Sequence, residues 1–166
     1  MPFKIDDLVI HPAHGMGLIT GLVMKRVLEA EARLYYEIAI QRSVVWAPVD
    51  DSKANQLRPL TPKKELDHYR DVLRSSPTPL IPDSRQRQLG LRGRLKSGAF
   101  QDTCEVVRDL TARGWHKPLN EADGLMLRNT RAGLCQEWAA ADGVSVLQAT
   151  DEVEALLREA RQAYQA

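Results

Sequence analysis

Two apolar runs parted by a Pro/Gly turn open the chain, and they restrict its fold more than any other feature. Leu8, Val9 and Ile10 follow a polar start, Pro12 and Gly15 interrupt them, and residues 16–23 resume the apolar pattern. Proline breaks a ladder and glycine admits a tight turn, so this stretch predicts the first hairpin of a small antiparallel sheet. Residues 16–27 read as one long strand or as a strand with a bulge. Residues 34–40 and 44–49 follow at short spacing and are rich in β-branched and aromatic side chains. Pro48 offers no N–H to a ladder, which places its end of the strand at an edge or a bulge. A turn at 50–52 and a short strand at 56–58 complete five strands, a number that suits a small SH3- or Tudor-like barrel.

From residue 61 the period changes from two to that of a helix. Thr61-Pro62 reads as an N-cap with proline at the first helical position. Leu66, Tyr69, Val72 and Leu73 then share one face. Pro77, Pro79 and Pro82 exclude helix from the segment that follows and stiffen it. Asp83 or Ser84 caps a helix reaching Lys96, and Ser97-Gly98 is the turn after it. Helices are predicted over 100–112, over 120–141 with Asn120 and Asp123 at its start, and over 145–164 with a Ser145/Gln148 capping box. The architecture expected is α+β: a small β-barrel over 1–60, a helix and Pro-rich linker over 61–82, and a compact helical bundle over 83–166. Cys104 and Cys135 fall in helices and read as small core residues of a reducing compartment. Trp138, four residues after Leu134, reads as core.

Charge is unevenly spread although the chain as a whole carries only +1. Residues 1–60 are neutral, residues 61–98 hold nine basic and four acidic side chains (net +5), and residues 99–166 are net −4. The densest basic piece, 84–98, contains Arg85, Arg87, Arg92, Arg94 and Lys96 and no acid. On a helix Arg85, Arg92 and Lys96 fall on one face, with Arg87 and Arg94 in a second row. Such rows suit phosphates, whose neutralisation releases counterions and makes binding salt-sensitive. The competing reading is a solvated face whose arginines pair with the acidic helices. Gly90 and Gly93 weaken this helix by about 1 kcal/mol each, which suggests close packing or close approach of a backbone.

Several motifs, in order, resemble the CarD/CdnL family of bacterial RNA-polymerase-binding transcription regulators. The opening matches its strand, its aromatic-Pro-x-x-Gly-x-Gly turn and its second strand, with His11 in the aromatic position. Ser97-Gly98 followed by Cys104-Glu105-Val106-Val107-Arg108-Asp109-Leu110 is similar to the family's Ser-Gly … Ala-Glu-Val-Val-Arg-Asp-Leu run. Leu119-Asn120-Glu121 … Met126-Leu127 … Arg131 and Ser145-Val146 resemble its later helices. The resemblance implies an N-terminal domain that binds the polymerase β subunit by sheet-edge pairing and surface side chains, a domain type shared with transcription-repair coupling factors. The edge strand holding Val45, Trp46 and Pro48 would supply the pairing. Lys25 and Trp46 fall where the family places polymerase-contacting basic residues. Trp46 reads equally as an interface anchor or as a buried barrel residue.

The resemblance further implies promoter contact at the upstream edge of the melted region, by a tryptophan wedged into the minor groove at the start of the basic helix. Counted back from Ser97-Gly98, that position is Ser84, and no aromatic lies between Tyr69 and Phe100. A wedge needs a large apolar side chain, so a weakened or altered DNA effect is expected, with Ile81 or Leu80 as an aliphatic substitute. The DNA-contacting set is then Ser84, Arg85, Arg87, Arg92, Arg94 and Lys96. The alternative is an adaptor whose acidic helices recruit another protein. His11 and His14 form His-x-x-His, but Pro12 makes this a turn and a third metal ligand is not evident; a small hydrolase using the pair is the remotest reading. There is no nucleophile constellation, no phosphate loop, no apolar run near 18 residues and no signal sequence. The expectation is a cytoplasmic, monomeric, non-enzymatic protein without cofactor or membrane contact.

Overall fold

The computed structural model describes residues 3–26, 28–29, 31–50 and 56–165. The chain divides into two units, Met1–Leu60 and Thr61–Ala166.

The first unit is a five-stranded antiparallel sheet: β1 (Leu8–His11), β2 (Gly15–Lys25), β3 (Arg33–Ile40), β4 (Ser43–Pro48) and β5 (Arg58–Pro59), in the order β4-β3-β2-β1-β5. It is the Tudor-like half of an α+β fold, as the sequence led us to expect. Alternation sets its two faces. Tyr36, Ile38 and Ile40 point into a core with Val9, Ile19, Ala47 and Val49, while Tyr35, Glu37 and Ala39 point away. Gly17 is required by packing: a Cβ there would lie 2.6 Å from Ile38 Cγ2 and 2.7 Å from Ile40 Cγ1. The long second strand takes the bulged option, with the register shifting between Ile19 and Gly21. Part of the turn expected at 50–52 lies outside the described residues.

His11 is committed to the turn in which it sits. Its Nδ1 accepts from Ala13 N at 3.0 Å and His14 N at 3.3 Å, so the ring closes the β1–β2 turn. Among the described residues no group of three or more potential ligands is suited to a metal ion.

The second unit opens with a 3-10 turn (Lys63–Glu65) and continues with α1 (Leu66–Arg74), α2 (Ser84–Leu95), α3 (Phe100–His116), α4 (Glu121–Asp142) and α5 (Val146–Tyr164). Thr61 is not a helix N-cap. Its N–H and hydroxyl both donate to Glu137 Oε2, at 3.1 and 2.6 Å, satisfying a buried carboxylate of α4 instead. The main core gathers Leu66, Leu73, Phe100, Val107, Leu134, Trp138, Val153 and Leu157, together with both cysteines. Burial pushes the Cys135 thiol above its usual pKa, which suits a packing role over a reactive one. Trp138 is fully buried, and its Nε1 donates to Glu152 Oε1 at 2.9 Å.

Residues 75–82 are not a free linker. Thr78 N donates to Asp109 Oδ1 at 2.9 Å, and Arg108 donates to Ser75 Oγ at 3.0 Å. Three prolines lower the entropy lost in holding this extended strap against α3.

The β1–β2 turn should be pH-sensitive. Burial, with His14 alongside, holds the His11 pKa below its ordinary 6.5. A depressed histidine contributes stability that is present above the unfolded pKa and is lost as pH falls through the folded one. Thermal melts by circular dichroism should therefore show the β unit weakening as pH is lowered below about 6.5. His11→Asn, which keeps an acceptor for the turn, should flatten that dependence; an unchanged profile would assign it elsewhere.

Candidate functional site

α2 is capped by Asp83, whose carboxylate accepts from Gln86 N at 2.9 Å. One side of the helix faces inward. Leu91 is buried with Val106 and Leu110 of α3, and the partly buried Leu80 packs on the same cluster. Arg87 and Gln88 are also buried, and both reach Asp123 on α4. The Arg87 Nη2 and Nε groups lie 2.7 and 3.0 Å from Asp123 Oδ2, and Gln88 Nε2 donates to Oδ1 at 2.6 Å. Arg87 Nη1 donates to the carbonyls of Ile81 and Pro82 at 3.0 and 2.9 Å. The guanidinium thus ties the strap, α2 and the first turn of α4 together.

This corrects the phosphate-contact role expected of Arg87. Withdrawing it would break a buried ion pair, a cost of about 3–5 kcal/mol, and leave Asp123 with Gln88 and the more distant Arg113 at 3.8 Å. A hydrogen bond to a charged group returns only about 1.5–3 kcal/mol. Arg94 is a partial case. It is one-third exposed, and its guanidinium lies 3.0 Å from Glu105 and 3.6 Å from Asp109. The second arginine row therefore packs on the acidic helices. Arg87, Leu91 and Arg94 at i, i+4 and i+7 mark an inward stripe, and Glu105 and Asp109 at i, i+4 meet it. That spacing was available in the sequence.

The outer side of α2 presents Arg85, Arg92 and Lys96, all exposed, with Leu89 between them. Gly90 and Gly93 lie beside this row, and a Cβ at either would meet no heavy atom within 4 Å. Internal packing therefore does not explain the two glycines. Ser84 is exposed, and its Oγ accepts from Asn120 Nδ2 at 3.2 Å. Of the two aliphatic candidates for a wedge, Leu80 belongs to the core and Ile81 is half exposed. The helix ends at a left-handed Gly98 (φ +72°), whose N–H donates to Leu95 O at 3.1 Å, and Ser97 bonds Asp102.

On the β unit, β4 is an outer strand of the sheet. Val49 N donates to Leu34 O at 3.0 Å. Antiparallel alternation then pairs the backbones of Ala47 and Val45 with β3 and turns those of Val44 and Trp46 toward the edge. Trp46 is 44% exposed, so it is not a buried barrel residue. The Lys25 ammonium sits 3.4 Å from the centroid of its ring, an attraction of about 0.5–1 kcal/mol at an exposed site. Lys25, Trp46 and Pro48 share the outer face. Val45 does not: its side chain packs on the sheet core, so only its strand, not the side chain, is on offer.

Both units match known sequence families. Residues 3–61 match the CarD-like/TRCF RID domain, and residues 69–154, more than half of the chain, match the CarD C-terminal domain. The chain belongs to the CarD family. A Bacillus subtilis (strain 168) protein named "Putative transcription factor YdeB" is 30% identical over 145 residues, which cover 86% of this chain and 94% of that one. The CarD family is one of transcription regulators and not a known enzyme family. Its Glu-Val-Val-Arg-Asp-Leu segment has a physical meaning in this member. Val106, Val107 and Leu110 fill the cores, Glu105 and Asp109 hold Arg94 of α2, and Arg108 with Asp109 holds the Pro-rich strap. No helix among the described residues is long and apolar enough to cross a membrane.

Removing the buried anchor should be costly. Asp123→Ala leaves the Arg87 guanidinium buried without its carboxylate, and urea unfolding followed by tryptophan fluorescence should show a loss of about 3–5 kcal/mol. A loss below about 1 kcal/mol, the range of exposed pairs, would mean that the pair does not anchor α2.

Proposed function

We propose that this CarD-family member binds the β subunit of RNA polymerase through β4 and the Lys25–Trp46 face, and lays α2 along promoter DNA near the upstream edge of the melted region. The observation that carries the DNA half is the outward row of Arg85, Arg92 and Lys96 beside two glycines with open space over them. Cations at that spacing suit a run of phosphates, and the missing side chains let the duplex backbone come close. The polymerase half draws on the family relationship, on the outer position of β4, and on an exposed tryptophan, a residue type that often anchors interfaces. Arg94 contributes by partial exposure, and Arg87 by holding α2 in place.

The DNA effect is weaker than, or different from, one produced by an aromatic wedge. Serine at position 84 has no apolar surface to offset unstacking of a base step. Ile81, half exposed on a turn whose carbonyl is fixed by Arg87, is the aliphatic tip best placed to press on DNA. A second reading, an adaptor whose helical unit recruits a protein, is favoured by the same departure at Ser84.

Calorimetric titration against the cognate β-lobe fragment should give saturable binding, and Trp46→Ala should weaken it about tenfold or more. No heat at tens of micromolar would reject the polymerase half. With forked promoter DNA, Arg92→Ala should lower the slope of log K against log salt by about one. Ser84→Trp should lengthen the lifetime of the open promoter complex; an unchanged lifetime would mean that α2 does not meet DNA in this register.

A further inference from the structure

α4 and α5, with the C-terminal end of α3, enclose a groove on the helical unit that none of the proposed contacts uses. It consists of two adjoining cavities of about 490 and 300 Å³, which share Leu127 and Arg131 in their linings. Its walls include apolar side chains: Leu127, Cys135 and Val146 in one cavity, Trp115, Leu119 and Leu157 in the other. Exposed apolar side chains lie on α4 and α5. Val146 is 51% exposed, its neighbour Leu147 is 71% exposed, and Leu125 is 50% exposed one turn before Arg128 on α4.

The charges of the groove run against those of its surroundings. Residues 99–166 are net −4, yet the charged linings are Arg128, Arg131, Arg158, Arg161 and a single acid, Glu154. Glu154 is taken up by Arg131. Arg128, Arg158 and Arg161 have no carboxylate partner among the described residues. Arg161 is nevertheless oriented: its Nε donates to Gln165 Oε1 at 2.5 Å, and Gln165 Nε2 donates to Trp115 O at 3.1 Å.

We infer that this groove docks an acidic, amphipathic segment of a partner protein. Apolar anchors at i, i+3 or i+4 and i+7 would enter between α4 and α5, and carboxylates between them would meet the arginines. An apolar floor with arginines and a tryptophan at its margin has the composition of a protein interface. A nucleic acid would leave Val146, Leu147 and Leu125 without use. The sign is opposite to that expected of an adaptor built on acidic helices: the helical unit offers its partner a basic groove.

The probe is a fluorescein-labelled 16-residue peptide with leucines at helical spacing and glutamates elsewhere, titrated by anisotropy with the full-length protein. Saturable binding in the micromolar range, lost in 0.5 M NaCl, is expected. The same peptide with lysine for glutamate should not bind. The Arg158→Glu/Arg161→Glu variant should bind at least tenfold more weakly while melting as wild type does. Should that variant fail to fold, Arg128→Glu and Val146→Asp singly carry the test, each with a several-fold loss. No saturable binding, equal binding of the lysine peptide, or unaltered affinity in the variants overturns the inference. Full displacement of the peptide by inorganic pyrophosphate or by a short DNA duplex also overturns it, because the arginines would then be a phosphate site.

Discussion

The buried contact between Arg87 and Asp123 holds the helical unit in the form on which its surface depends. One guanidinium bonds a carboxylate at the start of α4 and two carbonyls of the strap that leads into α2. A charge pair removed from water is a weak source of net stability but is expensive to break. Its effect here is on geometry. It fixes the rotation of α2 about its axis, turns Arg87, Leu91 and Arg94 inward, and leaves Arg85, Arg92 and Lys96 outward. Asp109 repeats the device two turns further along α2, holding Thr78 of the strap and lying close to Arg94.

The β unit is organised by different means. Its core lies on one face of the sheet, and within the unit the outer strand and the opposite face lie away from that core. Pro48 limits how far that strand can be extended by pairing. The cation–π contact of Lys25 with Trp46 holds a charge and a large apolar surface at one spot, a combination suited to a partner with an acid beside an apolar site. The helical unit keeps its two cationic surfaces on different elements. The row on α2 is polar with glycines beside it, whereas the groove between α4 and α5 has an apolar floor. The chemistry of the neighbouring residues separates these two clusters, because arginine alone suits phosphate and carboxylate alike.

Much of the fold was legible from local rules. The β-branched and aromatic runs at 34–40 and 44–49, Pro48 at a strand end, the cap at Asp83 or Ser84, those at Asn120 and Ser145, and the glycine after Ser97 are all decided by backbone sterics and nearby hydrogen bonds. These act within a few residues, so a linear reading captures them. Thr61 was misread because its partner, Glu137, lies on another helix. The strap at 75–82 was read as a linker because prolines exclude helix in either case, and only Asp109 and Arg108 decide that it packs. The candidate site was half legible. Helical spacing separated the arginines into two rows, but which row faced outward depended on acids more than ten residues away.

The sequence by itself determined the order of elements, the change from β to helix near residue 61, the core faces, the family motifs and the absence of an aromatic at position 84. Each is a property of the residues or of their immediate neighbours. Tertiary structure alone decided that Trp46 stays exposed beside Lys25, that Arg87 is an anchor, and that arginines from α4 and α5 line one groove in an acidic region. Those outcomes depend on which side chains meet across elements, where burial and charge pairing outweigh local preference. A chain read in one dimension specifies such meetings only jointly, through the whole packed unit.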